Sequence, residues 1–336
     1  MSTRINLTSL DEISALTFPA FDSAAADAAT ARQNSLTKPP GALGRLEELA
    51  VFMAGWQRCE KPVITQAQAL VFAGNHGICE QGVNPFPQEV TAQMVANFEA
   101  GGAAINQLCR SSGADLSVVA LDLDKPTQDF TKGLAMQPED TLVAMQRGAA
   151  AVDPEASILI LGEMGIGNST IAAALAYASF GGTADQWVGR GTGSDSAGQQ
   201  LKARVIEDGV ALHKSARGMA MLSALGGREQ AAICGAVLEA RAQSIPVILD
   251  GYICTAAVVP LFDADPDLLD HCLVGHASAE PGHIRLLEAL DKAPILSMNM
   301  ALGEGSGAAL ALGVLRAALE CHNGMSTFAE AGVSGG

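Results

Sequence analysis

The chain has 336 residues, enough to bury one large α/β core or a domain with a smaller lobe. Its formal charge is −16 and it has no basic run. That argues against nucleic acid and anionic membrane as partners, because both are approached with clustered Lys and Arg. An anionic ligand must then be held locally, by backbone amides and a few placed cations. Met1 to Asn6 show no positive segment leading into an apolar one, so no signal peptide is expected, and the apolar stretches are too short to span a bilayer. Seven cysteines with no CxxC pair read as reduced, mostly buried thiols of a cytosolic protein.

In chain order, an Ala-rich helical pattern covers residues 21–33, Lys38-Pro39-Pro40-Gly41 breaks it, and an amphipathic stretch over 43–56 resumes it. The first buried strand is expected at 69–73, running into Gly74-Asn75-His76-Gly77. Pro87 opens a helix with Val90, Met94 and Phe98 at four-residue spacing. Short apolar runs follow at 117–123, 157–161, 246–249, 272–274 and 294–298, with helical segments between most of them, and a last helix is expected over 308–320. Strands alternating with helices predict an α/β fold, a mainly parallel sheet covered on both faces. Residues 1–60 form a helical segment that makes a small lobe with the tail 321–336, and 61–320 carry the α/β domain.

Loops at strand ends hold the chemistry, since ligands of open parallel sheets bind outside the carboxyl ends of the strands. Glycine-bearing turns lie at 74–77, 162–170, 250–252, 275–280 and 300–307, and a further glycine loop lies at 189–193. The 162–170 loop resembles a phosphate cradle. Its glycine spacing is GxxGxG, and no Gly-Lys pair exists, so it is neither a Walker A nor a dinucleotide fingerprint. Asn168, Ser169 and Thr170 can equally be helix caps.

Glu163 and Glu304 stand as acids in separate glycine-rich settings. Each, taken alone, is also explained as a carboxylate favoured by a helix start. Facing one cleft, the two suit proton removal from a substrate nitrogen. Burial raises the pKa of Glu304 and a helix start lowers it, so the two effects oppose. Free amides at the helix start after Glu304 favour an anion there. Lys202, in a helical stretch over 201–212, reads as a solvated charge unless the preceding glycine loop makes it a phosphate partner. His276, Glu280 and His283 match no metal spacing, with Pro281-Gly282 between them, and no serine sits in a GxSxG turn.

Seven segments in this order are specific together: Lys38 to Leu46, Ala73 to Gly77, Pro87 to Thr91, Gly162 to Asn168, Gly189 to Gly193, His276 to Glu280 and Leu302 to Gly307. They resemble the nicotinate-nucleotide:dimethylbenzimidazole phosphoribosyltransferase family, the CobT family of cobalamin lower-ligand biosynthesis. The resemblance runs from about residue 30 to Val333. It implies a Rossmann-like fold, a cytosolic homodimer, and transfer of phosphoribose from nicotinate mononucleotide to 5,6-dimethylbenzimidazole or a related base. The leaving pyridinium requires neither metal nor cofactor. By resemblance, Glu304 is the general base and Glu163 a second carboxylate facing the reactants. Gly165, Gly191, Gly193, Lys202, Ser278 and Gly303 match phosphate-binding positions. Leu302 matches the base pocket, as do Phe86 and Met94, whose apolar side chains depart from the polar ones the family can carry there.

Two rival readings are weaker. A dinucleotide-dependent oxidoreductase needs GxGxxG after the first strand, where this chain has Gly74-Asn75-His76-Gly77. A non-catalytic nucleotide sensor has no need of the two acids.

Overall fold

A computed structural model of the chain describes residues 4–191 and 193–334. Six strands, β1 (Ala67–Ala73), β2 (Ala114–Ala120), β3 (Ile158–Met164), β4 (Val247–Leu249), β5 (Cys272–Ala277) and β6 (Pro294–Ser297), form one sheet in the order β2-β1-β3-β4-β5-β6. Every pairing is parallel. The expected parallel α/β fold is therefore present, and all six apolar runs became strands.

One strand is displaced from its expected place. The second run was expected at 117–123, yet β2 begins at Ala114, in register with Ala67 of β1. Its apolar character continues past the strand into a turn, where Asp122 adopts a φ of +49°.

The central strands are buried on both faces, which is why they read as continuous apolar runs. Leu70, Phe72, Leu159, Leu161, Val247 and Leu249 point into one core. There the helices Pro138–Ala151 and Arg228–Ala242 lie so close that Gly148 and Gly235 admit no side chain against the opposing backbone. Ala69, Val71, Ile158, Ile160 and Ile248 face the opposite core, with the helices Ala104–Ser112 and Ser306–Gly324. A third apolar cluster, built on the Ala-rich helix Asn168–Phe180, lies beyond the sheet.

The chain ends meet away from the strand tips. Arg32, on the helix Ser23–Ser35, donates to the carbonyls of His322, Asn323 and Met325 at 2.8, 3.0 and 3.2 Å. Leu36 bridges Thr327. The long helix Ser306–Gly324 runs unbroken, so it joins the sheet layer to this corner.

Candidate active site

The strand order reverses between β1 and β3, and the loops beyond the carboxyl ends of β3, β4, β5 and β6 wall a cleft. Glu163, Gly165, Asn168, Ser169, Tyr252, His276, Ser278, Glu280, Leu302 and Glu304 are on that wall. The loop after β1 lies beneath it. His76 is fully buried, with Nε2 2.6 Å from the Glu229 carboxylate, and the pair packs under Gly165. His76 thus supports the floor and does not face the cleft.

Glu304 sits on the turn before the helix Ser306–Gly324, in a left-handed run in which Gly303, Glu304 and Gly305 have φ of +83°, +64° and +83°. The flanking glycines take this conformation freely, whereas Glu304 is strained in it, a feature that concentrates at functional positions. Glu304 is 7% exposed. Burial, aided by the nearby Asp250 charge, pushes its carboxyl up to about 7. Of the two opposed effects expected at this position, burial wins. The helix start cannot offset it, because Asp250 already fills it by accepting the N–H groups of Gly305 and Ala308 at 3.0 and 2.9 Å. The anion expected at that helix start is this internal carboxylate.

Glu163 lies on β3 itself, not on the loop that follows, so its explanation as a helix-start acid falls away. Asn168 Nδ2 donates to its Oε2. A side chain at Gly303 would come within 2.6 Å of its Oε1, so the glycine lets the Glu304 turn close on the end of β3. Burial, then the charges of Asp250, Glu229 and Glu304, holds the Glu163 carboxyl well above the usual carboxylate range. Glu163 is thus held toward its protonated form, the form in which a carboxyl can donate a hydrogen bond. Both acids of the cleft are thus raised by burial, Glu304 to about 7.

A second corner of the cleft suits an anion. The helix Asn168–Phe180 starts there, and its second residue, Ser169, accepts from Lys202 Nζ at 3.2 Å. Lys202 is 3% exposed, so it is no solvated surface charge. Gly191, with φ of +50°, passes so close that a Cβ would stand 2.7 Å from Ser169 Oγ and 3.0 Å from Lys202 Nζ. Glu280 faces the same corner and accepts the Gly191 N–H at 3.0 Å. Ser278 donates its backbone N–H to His283 Nδ1 at 2.8 Å, so the proton of His283 is on Nε2, facing Thr255 Oγ1 at 3.3 Å. Burial draws His283 down to about 3, which keeps it neutral.

The structure thus brings Glu163, Glu304, Gly165, Gly191, Ser278, Gly303 and Leu302 to one cleft, with Lys202 directly behind Ser169. Gly193, at φ +115°, lies one turn away, donating its N–H to the Arg190 carbonyl at 3.0 Å, and Thr192 of the same loop lies outside the described residues. Phe86 and Met94 are not on the cleft wall. Phe86 is 48% exposed and Met94 packs against the core beneath the sheet, while Asn84 from that segment reaches the wall instead. Sequence reasoning missed the parts played by Asp250, Ser169 and Glu280. An aspartate closing the apolar run 246–249 was the available signal for the first. Among the described residues no group of acids, histidines and cysteines is arranged to hold a metal ion.

A cleft that can grip an anion at one end and take up a proton at the other belongs to an α/β group-transfer enzyme working on a phosphorylated substrate. The model of the family described as "Phosphoribosyltransferase" matches residues 18–333, and the chain belongs to that family. It is 65% identical to the nicotinate-nucleotide--dimethylbenzimidazole phosphoribosyltransferase of Rhodobacter capsulatus, over 98% of this chain and 99% of that protein. The enzyme of the same name from Ruegeria pomeroyi is 58% identical over 95% of each. The crystal structure of CobT from Thermus thermophilus superimposes with a TM-score of 0.87 at 39% identity, covering 93% of this chain and all of that one.

Proposed function

We propose that the protein moves the phosphoribosyl group of nicotinate mononucleotide to 5,6-dimethylbenzimidazole or a related azole. The products are nicotinate and α-ribazole 5′-phosphate, the nucleotide of the cobalamin lower ligand. The names borne by its relatives support this reading. The observation that carries it is the pair of buried acids, Glu163 and Glu304, lining one cleft.

The chemistry balances without further reactants. The unprotonated ring nitrogen of the azole attacks the anomeric carbon, and the bond to the pyridinium breaks from the opposite face, giving inversion. The electron pair returns to the pyridine nitrogen, which leaves neutral. The proton on the other azole nitrogen goes to Glu304. Because the leaving group is already activated, the chain's task is positioning and proton removal. Lys202, Ser169, Ser278 and the amides near Gly165 and Gly191 anchor the phosphate, Glu163 donates to the substrates, and Leu302 borders the base. With Phe86 and Met94 off the wall, base preference falls to Leu302, Ala301 and Asn84.

The enzyme is taken to act as a cytoplasmic homodimer. Seven unpaired cysteines and the lack, among the described residues, of any helix long and apolar enough to cross a membrane agree with the first part. The exposed apolar side chains Met298 and Leu302 agree with the second.

Incubating the purified protein with nicotinate mononucleotide and a panel of bases, then analysing products by mass spectrometry, tests the reaction. A phosphoribosylated azole is expected; no phosphoribosylated base with any acceptor would overturn it.

A further inference from the structure

Glu304 is held in a conformation it does not favour, and the group that holds it lies just past the end of a strand. Asp250 directly follows β4 and is 1% exposed. Its carboxylate reaches across to the start of the helix Ser306–Gly324, where Oδ2 accepts from Gly305 and Oδ1 from Ala308. These are the residues immediately and shortly after Glu304, so the clamp closes the carboxyl side of the left-handed turn. His276, on β5, places Nε2 3.5 Å from Asp250 Oδ1, and neither of its buried ring nitrogens has any other hydrogen-bond partner. Gly251 and Gly307 make room for that ring: a Cβ at either would come within 2.7 and 1.9 Å of it.

We propose that Asp250 is a positioning residue for the transfer: it pins the Gly305 to Ala308 backbone so that Glu304 stays aimed into the cleft, and it turns its negative charge on that carboxylate. This rests on the reading of Glu304 as proton acceptor. The charged and titratable groups around the acceptor are Asp250 after β4, Glu163 on β3, Glu229 with its partner His76 beneath, and His276 on β5. Among them Asp250 alone both bonds the turn and acts on Glu304, where its charge adds to burial in raising the proton affinity. Removing the charge lowers that affinity and makes a weaker base, while burial, the larger cause, persists.

The test compares kcat against pH for the wild type, Asp250→Asn and Asp250→Glu, with Glu304→Gln as control. Asp250→Asn is expected to lose about 10-fold or more in kcat and to move its acid limb down by about half a pH unit or more. Asp250→Glu keeps the charge, so its limb should stay with the wild type while kcat falls. A merely structural clamp would lower kcat in Asp250→Asn with the limb unmoved, and that outcome overturns the proposal. Turnover retained by Glu304→Gln would instead remove the underlying reading of the base. Hydrogen exchange on the wild type covers the case in which the Asp250 variants do not fold. The Gly305 and Ala308 amides should exchange more than about 100-fold slower than free peptide, and free exchange at both would refute the clamp.

Discussion

Glu280 accepts the backbone N–H of Gly191 at 3.0 Å in the same corner where Lys202 meets Ser169. A carboxylate of the protein thus occupies an amide suited to the substrate phosphate, and burial raises its pKa against the opposing pull of Gly191, Lys202 and Arg190. Glu280→Gln removes like-charge repulsion toward an incoming phosphate. The KM for nicotinate mononucleotide is expected to fall several-fold, with kcat changed less. A higher KM would show that Glu280 grips the substrate.

Lys202 is buried with its ammonium on Ser169, and burial lowers its pKa while Glu280 opposes the shift. Such a cation is worth holding only for an anionic partner. A charge-assisted hydrogen bond contributes about 1.5–3 kcal/mol, so Lys202→Met should raise the KM for the nucleotide about 10- to 100-fold. Steady-state kinetics with saturating azole checks this. An unchanged KM would move the phosphate elsewhere.

Gly303 is confined by its φ of +83° and by Glu163 Oε1, which stands 2.6 Å from where a Cβ would lie. Gly303→Ala adds left-handed strain of about 1–2 kcal/mol and presses the Glu304 turn away from β3. Turnover is expected to fall at least about 10-fold and the melting temperature by a few degrees. Wild-type turnover in this variant would show that the turn need not close on β3.

The raised proton affinity of Glu304 has a stability consequence with a definite sign. A folded-state pKa of about 7, above the ordinary carboxyl value of about 4.5, gives a contribution that is fully present below about 4.5 and lost as pH rises through about 7. Glu304→Gln removes that loss. The variant should therefore melt above the wild type at pH 8, and the difference should close toward pH 4.5. Calorimetry at both pH values decides it, and a variant less stable than the wild type at pH 8 would contradict the burial argument.

The sequence made the frame legible because the central buried strands read as short apolar runs, and all six runs proved to be strands. The acids were visible by context, since Glu163 and Glu304 stand where small residues dominate. What stayed hidden acts through space. Asp250 serves a helix start more than fifty residues further along the chain, and no periodicity records that contact. Glu280 meets Gly191 in the same way, across two loops. Phe86 and Met94 fail for the opposite reason: matching positions along the chain did not bring their side chains onto the wall, and Asn84 is there instead.

The central claim is that Glu304 removes the azole proton with an affinity set near neutrality by burial and Asp250. The most direct measurement is kcat against pH with saturating nicotinate mononucleotide and dimethylbenzimidazole, for the wild type and Glu304→Gln. The account predicts a wild-type rate that rises with pH through about 7 and then levels, and a variant that binds nucleotide yet loses about 100-fold or more in kcat at every pH. A wild-type rate already full at pH 5, or a variant with undiminished turnover, would contradict it.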